Sequence, residues 1–354
     1  MNKQERMHAF WAGERPDVVP LSIYGWFLDE YRGGALGRDP LMQQFLREGE
    51  LIGYYNLSPS VTRFTSNDVV PFRESFDQDG RPWIRHGFRT PVGEIFALDD
   101  AGWRQKYLLE KADDYRVMAY VLERLEISPD YEGFRQALAR LGPGCIGGSM
   151  IGRTPLQTIL VDYTGLENFS EHLYECPDAM RLLYDVLLKN FRRQVEIAAG
   201  APGPYVEVLE NFTSETMGPG RFAEFTLPVY RELFPQLHAA GKIVGVHYDG
   251  KLDSCKDLIA EAPVDLIESL TEPPEGDMTL AQCRAAWPTK LFWVNLNLSD
   301  YDRDDASLRR RVLEAVAAGG VNGRQLAIEI SEDVPPQWRE KIPVILLALE
   351  ETRG

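Results

Sequence analysis

The sequence predicts an α/β protein, a (β/α)8 or TIM barrel with an elaborated N-terminal third and a β-hairpin insertion. Three observations carry the prediction. Short apolar runs alternate with amphipathic segments through the second half of the chain. Counted over the whole chain the runs come to about eight, the number that closes most economically into a barrel. The length of 354 residues exceeds an ordinary domain but fits one large barrel. A doubly wound open sheet is the alternative.

Taken in order, Val19–Trp26 reads as the first strand, a region near Val61–Thr65 as the next, and Gly144–Met150 as the third. The stretch Leu166–Gly200 reads as two helices broken around Cys176-Pro177. Five further strands are Tyr205–Asn211, Lys242–Asp249, Val264–Leu270, Leu291–Asn297 and Gln325–Ser331, separated by segments such as ASLRRRVLEAVAAGG with apolar residues at helical spacing. Phe72–Asp99 breaks this rhythm, because a DG turn lies between alternating polar and aromatic runs, as in a β-hairpin. No stretch has the bias of a linker, so residues 1–354 are expected to form one domain with residues 72–99 inserted.

Composition narrows the function. Hydrophobic residues at 44% and charged residues at 26% describe a globular chain rather than a disordered one. An excess of 54 acidic over 38 basic residues gives a net charge of −16, which repels nucleic-acid phosphates and anionic lipid. The four cysteines are far apart, without zinc-ribbon spacing, and read as reduced, buried thiols. The opening MNKQERMHAFWAGERPD lacks the apolar core of a secretion signal, and no stretch is apolar for the roughly 18 residues of a membrane span. A cytoplasmic location is the expectation.

In a barrel the chemistry sits where strands end. Nearly every run ends in a polar group: Glu210-Asn211, His247-Tyr248-Asp249, Glu268-Ser269, Asn295-Leu296-Asn297 and Glu329-Ile330-Ser331-Glu332. Strand alternation sends His247 and Asp249 to one face, a metal-ligand or acid/base geometry. The alternative is that Asp249 caps a following helix while His247 is a hydrogen-bonded core residue. Glu268 and Glu329 lie in apolar strands and need a partner, either as catalytic groups or as carboxylates orienting the histidine or an arginine. Glu210 and Asn211 suggest a polar wall for a substrate, with Asn295 at the strand end that follows Glu268.

Other signals concern the pocket. The glycine-rich LGPGCIGGSMIG ends a helix and runs through a strand, the reverse of a phosphate loop, so close backbone packing is expected, with Ser149 near the barrel mouth. The aromatic residues Tyr24, Trp26, Phe27 and Tyr31 either line an apolar pocket or are ordinary core.

The segments ERMHAFWAGERPDVVPL, TPVGE at Thr90–Glu94, KADDY at Lys111–Tyr115, GRFAEFTLPVYRELFPQLHAAG leading into VGVHYDG, and LAIEISEDVPPQWRE occur in an order that resembles the uroporphyrinogen decarboxylase superfamily, which includes corrinoid-dependent methyltransferases. The resemblance implies a (β/α)8 barrel. Decarboxylases of that family carry an arginine-rich loop after the first strand. Here the stretch from Ser22 to Tyr31 has no arginine, a poor match to a substrate bearing many carboxylates. The methyltransferase branch binds zinc through an HxC and a cysteine before the final VPP. The matching positions here are His247, Asp249 and Glu332. The resemblance therefore implies a divalent metal, zinc foremost, on those three residues, with His247, Asp249 and Glu268 as the catalytic group. It further implies methyl transfer between a small methoxylated or methylated compound and a corrinoid. No DxHxxG cobalamin loop is present, so the corrinoid is expected on a separate partner protein. The alternatives are a decarboxylase or lyase of a small acid, and a barrel that binds a small molecule without chemistry.

Overall fold

A computed structural model describes residues 1–29 and 34–353. Tyr31, one of the aromatic candidates, lies outside the described residues. The chain divides into two compact units, one formed by Met1–Pro59, Tyr131–Ile151 and Ala198–Gly354, the other by Ser60–Asp130 and Gly152–Ile197.

The first unit is a closed barrel of eight parallel strands. They are β1 (Leu21–Tyr24), β2 (Leu51–Leu57), β3 (Cys145–Ile151), β4 (Tyr205–Val208), β5 (Ile243–His247), β6 (Leu266–Thr271), β7 (Leu291–Asn295) and β8 (Leu326–Glu329). Each pairs with its neighbours in chain order, and β8 returns to β1 through Leu21↔Ile328 and Ser22↔Glu329. The barrel expected from the period is present. One strand was misplaced: β2 is Leu51–Leu57, whereas Ser60–Phe64 pairs antiparallel with Leu125–Pro129 in the other unit. The run LIGYYNL is weak as an apolar signal because a glycine and an asparagine interrupt it. Asn56 is nevertheless an inward-facing residue, as its bond to Glu207 inside the barrel shows.

The floor of the barrel is aromatic. The helix Lys3–Trp11 begins with a capping box between Asn2 and Glu5 and brings Met7, Phe10 and Trp11 against the strand starts. Trp11 stacks on Tyr205 at 4.9 Å between centroids, and Phe10 meets the edge of Trp293 at 6.0 Å. Tyr54, Tyr205 and Trp293 fill the interior above them. Gly148 is the close approach expected of the glycine-rich strand, since a Cβ there would stand 2.7 Å from the Tyr54 hydroxyl.

The second unit holds a four-stranded antiparallel sheet of Val70–Gln78, Arg81–Thr90, Gly93–Asp100 and Trp103–Lys106, broader than the predicted hairpin. Its first turn is Asp79-Gly80, with φ of 56° and 75°, the two left-handed residues that a two-residue hairpin turn requires. The helix break predicted at Cys176 is present between Gly165–Glu175 and Pro177–Ala199. All four cysteines are free, but only Cys255 and Cys283 are buried as expected, whereas Cys145 and Cys176 are half-buried. No helix among the described residues is long and apolar enough to cross a membrane.

Candidate functional site

The ends of β5 and β6 set the site, because their register places His247 beside Glu268 on the inner face. Both are buried, and the Nδ1 nitrogen of His247 is hydrogen-bonded to Oε2 of Glu268. The other oxygen of Glu268 accepts from the Tyr24 hydroxyl at 2.5 Å. The opposite ring nitrogen, Nε2, stands 3.6 Å from Oδ2 of Asp249 and 3.5 Å from Oε1 of Glu332. Asp249 does not cap a helix. It accepts from Asn211 Nδ2 at 2.9 Å, and Asn211 reaches it from a left-handed backbone position after β4, with φ 48°.

Glu332 comes from the loop after β8 and accepts from the Ser269 hydroxyl, which in turn accepts from Asn295 Nδ2 at 2.7 Å. Ser269 should point outward by alternation. A bulge in β6 between Ile267 and Leu270 sets two residues, Glu268 and Ser269, against one on β7, and a φ of 63° at Ser269 completes the turn. Consecutive side chains thereby serve the same site.

Electrostatics follow from burial. Burial by itself lowers the His247 pKa, but the charge of Glu268 and the bonds to Asp249 and Glu268 outweigh it and hold the pKa well above the ordinary value. Burial pushes Glu332 up, whereas for Asp249 the bond to His247 overcomes burial and leaves it below the usual carboxylate range. Deeper in the barrel, Glu207 accepts from Asn56 at 3.0 Å and from Tyr54 and Tyr205 at 3.3 Å each. Burial, reinforced by the Glu268 charge, raises its pKa to about 8. Burial likewise raises Glu329, whose partner is the Ser22 hydroxyl. Tyr24 is held far from ionisation by burial and then by Glu268.

The donor set fits a metal ion. His247 Nε2 stands 3.6 Å from Asp249 Oδ2 and 3.5 Å from Glu332 Oε1, and one ligand atom from each of the three residues lies within 4.8 Å of the others, close enough to converge on one ion. Each donor has its own outer partner, Glu268, Asn211 and Ser269 respectively, the pattern that orients metal ligands. Among the described residues, His247 is the one basic side chain within ion-pair distance of Glu268, Asp249 or Glu332.

The site thus gathers His247, Asp249, Glu268, Glu332, Tyr24, Asn211 and Asn295. Trp26 joins through Tyr24, its ring stacked on the phenol at 3.9 Å. Two candidates lie elsewhere. Glu210 bonds the Tyr230 hydroxyl at 2.6 Å, and Tyr230 meets Tyr248, whose side chain alternation turns away from His247. Ser149 is in register with Leu57 and Val206, opposite in facing to Asn56 and Glu207, and its buried hydroxyl has no partner. The sequence marked Ser269 as part of a polar strand end without a role for it, and it did not single out Asn56, Tyr54 or Glu207. Glu207 carried the same signal as Glu268, a carboxylate within an apolar strand.

Residues 121–273 match the model of the uroporphyrinogen decarboxylase (URO-D) family, a span that holds His247, Asp249, Glu268 and Ser269 but ends before Glu332. No curated protein sequence matches the chain. Among solved structures, a methyltransferase from Methanosarcina mazei superposes with a TM-score of 0.59 over 100% of both chains at 13% identity, a likeness of fold. The resemblance to the uroporphyrinogen decarboxylase superfamily read in the sequence is borne out, in family signature over residues 121–273 and in a barrel fold shared end to end with that methyltransferase.

Proposed function

We propose that this chain is a metal-assisted methyltransferase that moves a methyl group between a small methoxylated or methylated compound and a corrinoid on a partner protein. The observation that carries the reading is the convergence of Asp249 and Glu332 on Nε2 of His247 while Glu268 holds Nδ1. A bound divalent ion supplies Lewis acidity toward the leaving oxygen or nitrogen of the methyl donor, and the corrinoid supplies the nucleophile. The residues do the rest. Glu268 accepts a hydrogen bond from Nδ1–H, which leaves the Nε2 lone pair of the neutral imidazole to face the ion. Asp249 and Glu332 offer hard oxygen donors, which favour an ion that binds oxygen-bearing substrates. Tyr24, kept protonated, fixes Glu268 and presents its stacked partner Trp26 as an aromatic wall. The carboxylate-rich mouth disfavours substrates with several negative charges, which argues against a porphyrinogen.

The competing reading is a metal-free decarboxylase or lyase of a small acid. It draws on the raised pKa of His247, which makes the imidazolium a proton donor in the absence of an ion. Purified protein mixed with cob(I)alamin and a panel of methoxylated aromatics and methylamines separates the two. Loss of cob(I)alamin absorbance that requires a divalent ion supports methyl transfer. Turnover of a small acid to carbon dioxide by chelator-treated protein contradicts it.

A further inference from the structure

We propose that Ser269 and Asn295 form a relay that positions Glu332, so that the one loop-borne ligand owes its place to β6 and β7. This rests on reading His247, Asp249 and Glu332 as metal ligands and is independent of methyl transfer. Glu332 lies three residues beyond β8, outside helix and strand, and its side chain is 42% exposed, against 5% for His247. An exposed carboxylate on such a segment samples several rotamers unless something holds it.

Ser269 and Asn295 supply the hold. The serine is fully buried and donates its only hydroxyl proton to Glu332 Oε1. Asn295, also buried, donates Nδ2 to the serine oxygen at 2.7 Å and stands 3.5 Å from the same glutamate oxygen. With an amide donor occupying a lone pair of the hydroxyl, the serine proton is committed to the carboxylate, and the direction of the relay is fixed. The backbone adds an independent observation. At φ 63° within the β6 bulge, position 269 suits glycine better than serine. What serine adds over glycine is the hydroxyl, and the bulge aims it at Glu332.

The discriminating variant is Ser269→Gly, which removes the hydroxyl and its two hydrogen bonds while relaxing the left-handed backbone, so part of the loss is offset and the unfolding transition should stay cooperative, with a midpoint near that of wild type. Zn2+ affinity, measured by competition with a chromophoric chelator, should fall roughly 10–100-fold, the range for lost partners of metal ligands. In a Glu332→Gln background the same substitution should cost about twofold or less, because the group it positions is already altered. Equal Zn2+ affinity in wild type and Ser269→Gly overturns the relay and leaves the ligand assignment standing. An undiminished loss in the Glu332→Gln background also overturns it, since the effect then runs through another group. A wild-type chain that holds no Zn2+ overturns the ligand assignment and the relay together.

Discussion

Glu268 and Ser269 are consecutive in the chain, yet both turn toward the same site, one bonding Nδ1 of His247 and the other the carboxylate of Glu332. A regular strand forbids this, because neighbouring side chains alternate between faces. The bulge in β6 and the left-handed φ at Ser269 lift the restriction. A single local irregularity thus supplies outer support to two of the three candidate ligands.

The first prediction concerns Glu268. Its charge is the leading influence holding His247 protonated against burial. In the metal-free protein, Glu268→Gln should therefore bring the His247 pKa down, which nitrogen NMR can follow because the chain has only five histidines. An unchanged pKa would remove Glu268 from the role assigned to it.

The second concerns pH. Glu207 titrates near 8 in the folded protein and near 4.5 unfolded, so the folded state holds a proton that the unfolded state has lost between those values. Its contribution is complete below about pH 4.5 and disappears as pH rises toward 8, at a slope of up to about 1.4 kcal/mol per pH unit. Glu329 and His247 are also raised and act in the same direction. The metal-free protein should lose stability across this window, and Glu207→Gln should flatten the decline. Denaturant unfolding from pH 5 to 8 measures both, and an equally steep variant would contradict the assignment.

Two predictions address the barrel floor. Trp11→Ala removes a fully enclosed ring stacked on Tyr205, and a loss of about 3–5 kcal/mol is expected by urea unfolding.

Gly148→Ala introduces a methyl group 2.7 Å from the Tyr54 hydroxyl, which bonds Glu207. A loss of about 1–3 kcal/mol is expected from overpacking. A neutral result would mean that Tyr54 moves freely, contrary to its enclosure.

Much of this was legible in the sequence. The alternation of apolar runs and helical segments specified the barrel, and the HxD at the end of β5 specified two convergent donors, because period and register are local properties of a strand. Glu332 was reachable through the family resemblance, since no local pattern ties it to His247. The misplaced second strand shows the converse. LIGYYNL is interrupted by residues that serve the interior, Asn56 as the partner of Glu207 among them, so the pattern weakens where the site needs polarity. Ser269 was hidden by the bulge, which inverts the facing that alternation assigns. Ser149 and Glu210 were placed at the mouth by proximity to strand ends, but facing, not proximity, decides which side of a barrel a residue serves.

The most direct measurement is the divalent metal content of the purified protein and of His247→Ala, by elemental analysis after dialysis against trace Zn2+. The account predicts close to one equivalent in the wild type and its loss in the variant, with the fold intact by circular dichroism. A wild type without metal, or a variant that keeps a full equivalent, would contradict it.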